Sequence, residues 1–412
     1  MPVTPVDSFE AAIAYLRSTQ GIRDRCTTLL KLALNNRLTH FRCNLDRLDA
    51  VVDYLIQVMG DRYPSGDIPF HSRWRHFEVS NAARLRQLDE AGLSPLELAR
   101  ARVDLVVTSV LLDAGAGPTW RYTEPGTGLV LQRSEGLAIA SFHWFCQGGL
   151  SSDPEQPLQA DAGGLKAVTP EALATAFQVS EANPLVGLSG RVGLLQRLGQ
   201  VLTEHPDFFG EPARPGHLVD YLQAQAGAGA IAADAVLHLI LAGLSDIWPG
   251  RITLNHTNLG DVWPHPALPQ THPGSDLVPF HKLSQWLTYS LLEPLQDLGL
   301  TVLDIDHLTG LPEYRNGGLL VDLGLLLPKH PAVTQVRHPP ESEVIVEWRA
   351  LTVALLDRVA EATRHRLGLT AAQLPLAKVL EGGTWSAGRR IAATRRPGGA
   401  PPIQIESDGT VF

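Results

Sequence analysis

Apolar residues recur at spacings of three and four over most of the chain. In the segment 44–59, Leu45, Leu48 and Leu55 form one such stripe, and Asp and Arg side chains lie between them. Similar patterns fill the segments 94–115, 281–300 and 344–368. This period is typical of amphipathic helices, so the pattern predicts a mainly α protein.

Strand signals are few. The segments 127–134 and 401–412 alternate apolar and polar residues, but no βαβ rhythm or Gly-rich phosphate loop accompanies them. The segment 148–168 is rich in Gly, Pro, Ser and acidic residues, which favours a connector. We therefore expect one compact mainly α unit over residues 1–412 with minor β. The alternative is two lobes, at about 1–147 and 169–412, joined near 148–168.

The composition and net charge argue against nucleic acid and anionic membranes as partners. Of the 412 residues, 44% are apolar and 19% are charged, and the net charge is −9. This is a globular balance without a general attraction to nucleic acid or anionic membranes. The first residues show no basic start followed by an apolar run, so we expect no secretory leader there, and no run approaches the roughly 18 apolar residues of a membrane span. We expect a cytoplasmic protein with a small-molecule substrate, and the oligomeric state stays open.

Motifs for metals and cofactors are absent from the sequence. The 15 histidines and three cysteines include no His-Glu-x-x-His, paired-Cys or EF-hand spacing. No Gly-x-Ser-x-Gly nucleophile turn is present either. We therefore expect neither a metal nor a cofactor, which leaves carboxylates, imidazoles and guanidinium groups as the candidate chemistry.

Polar and aromatic residues concentrate in two short segments. The first, 68–79, combines groups that stack on and hydrogen-bond to a planar ligand, with the candidates His71, Arg73, Trp74 and Arg75. The second places His281 and Lys282 at a predicted helix start, where free N–H groups favour an anion, and Trp286 follows one turn later. The structural alternatives are a half-buried turn with extended Arg side chains and a helix with a basic exposed end.

Further candidates stand in or beside apolar segments. Asp261 lies in an Asp-x-Trp-Pro unit, where it is either a helix cap or a functional acid. Glu347 and Arg349 interrupt an apolar helix and need partners, so we expect them to support a polar site from behind. Trp385 and Arg389 follow a Gly pair, and Arg389 suits a carboxylate, a phosphate or urea.

The segment 310–318, GLPEYRNGG, sets Glu313, Tyr314, Arg315 and Asn316 in a row between two apolar runs. A polar stretch bounded by Gly and Pro is usually a surface turn. The other interpretation is a pocket wall, in which the acid, the guanidinium and the amide face a ligand.

Six segments together resemble the fungal and bacterial uracil-catabolism family of the Urc4/Urg3 type: 69–78, 261–266, 277–295, 308–326, 343–358 and 382–412. The likeness extends over nearly the whole chain. The family belongs to a uracil-degrading route that passes through ribosylated intermediates and a ribosylurea-like compound, and that releases urea and a three-carbon acid.

A weaker resemblance concerns the chemistry. This chain has a predicted helix, then the segment LTGLPEYR at 308–315, then an apolar helix and then the helix at 343–358. Queuosine-salvage nucleosidases have a similar order of elements. Those proteins are helical and related in fold to DNA glycosylases, which implies the same architecture here. Their loop usually has Asp before Tyr-Arg, whereas this chain has Glu313, whose side chain is longer by one methylene.

The two resemblances together imply an N-glycosidase that hydrolyses the ribosyl C–N bond of ribosylurea or its 5′-phosphate. Glu313 would stabilise an oxocarbenium-like transition state, attack it or activate water. A proton donor for the departing urea would be His281, His71 or Asp261.

The binding roles follow in the same way. Arg315 and Asn316 would hold oxygens of urea or sugar, and Trp74 and Trp286 would line the planar group. Lys282, Arg73 and Arg389 would supply the positive charge for a phosphate. Two alternatives stay open: an amidase-type hydrolase of a ureido intermediate, and a non-catalytic binding partner in the pathway.

Overall fold

The computed structural model describes residues 8–81, 83–113, 115–248 and 252–406. Residue contacts divide them into two compact units. The first unit contains the described residues up to 71 and those in 252–285 and 304–406. The second contains the described residues in 72–248 and 286–303.

Helices dominate both units, as the apolar periodicity predicts. In chain order they are α1 (Phe9–Leu16), α2 (Thr19–Leu34), α3 (Leu48–Arg62), α4 (Trp74–Phe77), α5 (Arg86–Asp89), α6 (Pro95–Leu111), α7 (Arg133–Cys146), α8 (Ala162–Lys166), α9 (Pro170–Ala176), α10 (Leu188–Glu204), α11 (Pro206–Phe209), α12 (Leu218–Gln225), α13 (Ala233–Leu244), α14 (Lys282–Asp297), α15 (Tyr314–Asp322), α16 (Ala332–Gln335), α17 (Glu343–Leu367), α18 (Leu376–Val379) and α19 (Trp385–Arg395). A π-helical turn, Leu380–Thr384, joins α18 to α19.

The strands are short and occur in pairs. They are β1 (Phe41–Cys43), β2 (Tyr122–Thr123), β3 (Val130–Leu131), β4 (Ala230–Ala232), β5 (Thr253–Leu254), β6 (Thr257–Asn258), β7 (Val262–Pro264), β8 (Leu277–Pro279), β9 (Thr301–Leu303), β10 (Leu326–Pro328), β11 (Arg337–His338) and β12 (Gln404–Ile405). The antiparallel pairs are β1–β10, β2–β3, β5–β6 and β7–β8, and the parallel pairs are β4–β9 and β11–β12. The mainly α fold with minor β is thus confirmed, and the DNA-glycosylase-like arrangement stays a prediction.

Helix α17 is the central helix of the first unit. Its apolar residues pack against α2 and α3, and most of its first three turns is buried. It ends at Gly368, which adopts the left-handed conformation with φ of 67°, after a last turn that carries Arg364 and Arg366. Basic residues at that end favour the helix because they oppose the negative end of the dipole. This long rigid helix carries Glu347 and Arg349.

Local signals set the helix starts that the sequence predicts. The Ser94 hydroxyl accepts the Glu97 N–H at the start of α6, and Pro95 occupies the first helical position. The segment 127–134 contains β3, and the segment 401–412 contains β12, while its residues 407–412 lie outside the described part of the chain.

The segment 148–168, which the sequence marks as a connector, lies within the second unit and contains α8. Asp161 caps that helix, since its Oδ1 accepts the Gly164 N–H at 2.9 Å. Within the ranges that the structure describes, no helix combines the length and the apolar character that crossing a membrane requires.

Candidate functional site

Glu313 stands at the N-terminus of α15 and caps it with both carboxylate oxygens. Oε1 accepts the Asn316 N–H at 2.5 Å, and Oε2 accepts the Arg315 N–H at 2.8 Å. Burial raises the pKa of the Glu313 carboxyl, whereas these two bonds and the nearby charges of His71 and Lys282 oppose that rise. The site therefore holds a partly desolvated carboxylate at a fixed position, with two cationic side chains close enough to affect it.

Asn316 and Arg315 connect α15 to the C-terminal part of the first unit. Asn316 Nδ2 donates to the Leu311 carbonyl at 3.0 Å, and its Oδ1 accepts the Thr384 hydroxyl at 2.8 Å. Arg315 Nη1 donates to the Gly399 carbonyl at 2.8 Å. These contacts favour a scaffold role, and the predicted substrate contacts of both residues stay predictions. Tyr314, 40% exposed, is the member of the loop that solvent reaches most.

A carboxylate and an imidazole form a buried pair in the same unit. Glu381 Oε2 lies 2.8 Å from His71 Nδ1, and the two residues are 2% and 4% exposed. The other oxygen, Oε1, accepts the Tyr63 hydroxyl at 3.1 Å and lies 3.4 Å from Arg62 Nη2. Because a carboxylate accepts at Nδ1, that ring nitrogen carries a proton, and Nε2 is the ring nitrogen left for other contacts.

The π-helical turn Leu380–Thr384 places Glu381 beside His71. A π turn is rare and inserts an extra residue into a helix, which changes the direction in which its side chains point. Gly383 lets this turn pack on α3, since a Cβ atom there would lie 2.7 Å from Leu55 Cγ. The ring of Trp385, next after the turn, lies 5.8 Å from the ring of His71, between centroids.

Asp261 forms a second ion pair with the buried side chain of Arg349. Arg349 Nη1 and Nη2 donate to Oδ1 and Oδ2 of Asp261 at 2.8 and 2.7 Å, and Trp263 Nε1 and the Lys282 N–H donate to the same oxygens. Burial alone would raise the pKa of Asp261, but Arg349 and these donors hold it well below its usual range. Asp261 is therefore ionised, which favours a role in positioning Arg349 and the start of α14 over proton donation.

His281 is buried at the start of α14. Its Nε2 lies 2.8 Å from the Leu16 carbonyl oxygen, an acceptor, so this nitrogen carries the proton. Burial lowers the pKa of the imidazole, which keeps it neutral at physiological pH. Of the three predicted proton donors, His71 has the geometry that best fits the role, while the roles of His281 and Asp261 stay predictions.

Glu347 anchors the chain that leads into β1. Its Oε1 accepts the Thr39 N–H at 3.0 Å, and its Oε2 accepts the N–H groups of His40 and Phe41 at 3.0 and 3.1 Å. Its ligand atom also lies within 4.8 Å of those of His40 and Glu343, a spacing that a metal ion could bridge. Sequence spacing gives no sign of this group, because His40 and Glu343 are far apart in the chain.

Four predicted binding residues belong to the second unit and are held there by internal contacts. Arg73 Nη1 donates to Asp113 Oδ1 at 2.6 Å, and Trp74 Nε1 donates to the Ser290 carbonyl at 2.8 Å. Arg75 Nη2 donates to Glu293 Oε2 at 2.7 Å, and the Arg73 guanidinium lies 5.5 Å from the Trp286 ring centroid. Arg73, Trp74 and Trp286 are buried, which favours a role in packing.

The remaining candidates, Trp385 and Arg389, lie on α19 of the first unit. Arg389 is exposed, and its guanidinium lies 5.6 Å from the Trp385 ring centroid. Sequence reasoning did not select Glu381, Tyr63 or Thr384. The one local signal for Glu381 is the Gly pair that follows it, since its partner His71 is 310 positions away.

Comparison with known proteins identifies the family of this chain. A family model described as a protein of unknown function, DUF1688, matches residues 15–412. Uracil catabolism protein 4 of Lachancea kluyveri is 39% identical over 437 residues, which include 97% of this chain and 99% of that protein. Protein urg3 of Schizosaccharomyces pombe is 40% identical over 411 residues, with the same shares. These matches confirm the predicted family, and the chain belongs to the DUF1688 family together with these two proteins.

Proposed function

We propose that this chain is a hydrolase of uracil catabolism that cleaves the ribosyl C–N bond of ribosylurea or its 5′-phosphate. The similarity to uracil catabolism protein 4 of Lachancea kluyveri supports a role in this pathway. The observation that carries the reaction is the position of Glu313, a partly desolvated carboxylate fixed by two backbone N–H groups near cationic side chains. A carboxylate in this setting opposes the positive charge that develops on the sugar.

The reaction needs two events at the anomeric carbon. The bond from C1′ to the ureido nitrogen breaks, and its electron pair goes to nitrogen, which leaves an oxocarbenium-like sugar. Glu313 stabilises that cation by charge and accepts a proton from the water that adds to C1′. The ureido nitrogen takes up a proton as it leaves, so ribose, or its 5′-phosphate, and urea are the products.

Product analysis tests the proposal. Purified protein is incubated with ribosylurea carrying ¹³C in the urea carbon, and the products are followed by NMR and by enzymatic ammonia and ribose assays. Equal amounts of urea and ribose support the glycosidase. Ammonia and carbonate without free urea contradict it in favour of an amidase, and saturable binding without any product contradicts it in favour of a non-catalytic partner.

A further inference from the structure

The pair formed by His71 and Glu381 has the features of an acid–base catalyst. The glycosidase reaction needs a proton for the leaving urea, because an uncharged ureido nitrogen departs poorly with an electron pair. Both residues are buried, so the bond from Glu381 Oε2 to His71 Nδ1, 2.8 Å long, fixes the ring and directs its exchangeable nitrogen. His71 Nε2 makes no hydrogen bond within the described part of the chain. Because Glu381 holds Nδ1, Nε2 is the ring nitrogen left for a ligand atom.

The π-helical turn links this pair to Glu313. Glu381 lies near its start and contacts His71, whereas Thr384 ends the turn and donates to Asn316 Oδ1 at 2.8 Å. Asn316 in turn donates its N–H to Glu313 Oε1. One five-residue turn therefore fixes both the imidazole and the helix end that carries the carboxylate. The positive charge of His71 is also near enough to Glu313 to lower the pKa of that carboxyl.

We propose that His71 protonates the departing ureido nitrogen and that Glu381 is the positioning residue that orients His71 for this step. The inference rests on the glycosidase function proposed above. His71 begins as the imidazolium and gives its Nε2 proton to nitrogen as the C1′–N bond breaks. Glu313 takes a proton from the attacking water, and exchange with solvent then returns a proton to His71 and removes one from Glu313. Each bond broken and each proton moved is thus accounted for.

The charged groups around the imidazole fit this assignment. Glu381 contacts the ring directly, and Glu313 is near enough to interact with it electrostatically. Arg62 and Tyr63 approach the other oxygen of Glu381 and hold that carboxylate in place. The Trp385 ring lies beside the imidazole, 5.8 Å away between centroids.

The test compares two substrates that differ in their need for an acid. Ribosylurea needs protonation of its leaving group, whereas 4-nitrophenyl riboside releases a stable phenolate without it. We expect His71→Asn and Glu381→Gln to lose about a hundredfold or more in kcat/KM on ribosylurea but little on the nitrophenyl substrate. Glu313→Gln should lose turnover of both, since it acts on the sugar cation. The assignment would be overturned if His71→Asn lowered kcat/KM equally on both substrates, or did not lower it on ribosylurea.

Controls keep folding and function apart. His143→Asn removes an imidazole from the comparable pair of His143 Nε2 and Glu124 Oε1, 3.0 Å apart in the second unit, and should leave turnover unchanged. Added imidazole should restore part of the ribosylurea turnover to His71→Ala, and absence of rescue counts against the proton-donor role. A wild-type protein that cleaves neither substrate refutes the glycosidase itself, and this inference with it. Wild-type cleavage of ribosylurea that is insensitive to His71 refutes the inference alone.

Discussion

Glu313→Gln separates the two roles of the residue that caps α15. The substitution keeps the size of the side chain and one carbonyl oxygen, but it removes the charge. One of the two backbone bonds, to Arg315 or to Asn316, can persist. Loss of the other resembles the loss of a helix cap, which costs about 1 kcal/mol and lowers Tm by about 2–4 °C. The protein should therefore remain folded and bind its ligand.

Turnover should fall much further than stability. Loss of an electrostatic or acid–base group costs about a hundredfold or more, equal to about 2.7 kcal/mol in the barrier at about 1.36 kcal/mol per tenfold. The assay measures kcat and KM for ribosylurea by urea release, together with Tm by scanning fluorimetry. We expect the loss to appear in kcat, because the charge acts mainly in the transition state.

A matched variant controls for the cap. Asp161 also accepts backbone N–H groups with both oxygens, from Gly164 at 2.9 Å and from Ser152 at 2.8 Å, at the start of α8 in the second unit. Asp161→Asn should thus lower Tm by a similar amount and leave kcat unchanged. Near-normal turnover by Glu313→Gln refutes the electrostatic role of Glu313. A large loss of Tm in that variant alone would attribute its inactivity to unfolding.

Three further predictions concern charge and metal. Asp261→Asn removes the negative charge that faces the buried Arg349 guanidinium and should cost about 3–5 kcal/mol. Asp53→Asn, which removes the exposed partner of Arg366, should cost at most about 1 kcal/mol. Equal losses in the free energy of unfolding for the two variants, measured by thermal unfolding, would contradict the role of burial at Arg349. Because the pKa of Asp261 is lowered, its carboxylate stabilises the folded protein fully above about pH 4, and this stabilisation is lost only as the pH falls toward the lowered pKa. Thermal unfolding measured at a series of pH values tests this. Lys282→Ala should reduce kcat/KM about tenfold for the 5′-phosphate of ribosylurea and little for ribosylurea itself, and equal turnover of both by wild type and variant indicates an unphosphorylated substrate. Activity should survive EDTA, since a cation beside the anomeric carbon would oppose the charge that develops there; loss on chelation and recovery with one metal would favour a metal-assisted amidase.

Regular patterns in the sequence predicted the helices well. The buried stripe of α17 and the Ser94–Pro95 start of α6 are local signals, and both helices form within the predicted segments. The same reasoning could not separate a cap from a catalytic group at Glu313, since the bonds to its carboxylate depend on how the following backbone turns.

Tertiary partners decided the roles of the polar aromatic segments. The composition of 68–79 suits a ligand site, yet Arg73 is bound by Asp113 and Trp74 by Ser290 inside the second unit. Conversely, Glu381 gave little signal of its own, because its partner His71 is 310 positions away along the chain. Contacts of this kind leave no spacing in the sequence.

A crystal structure of Glu313→Gln with ribosylurea tests the central claim most directly, because the variant should bind the substrate without cleaving it. In that crystal we expect the anomeric carbon to lie about 3–3.5 Å from the side chain at position 313 or from a water bound to it. We also expect His71 Nε2 within about 3.2 Å of the ureido nitrogen. Ribosylurea bound with its anomeric carbon out of reach of both side chains would contradict the account.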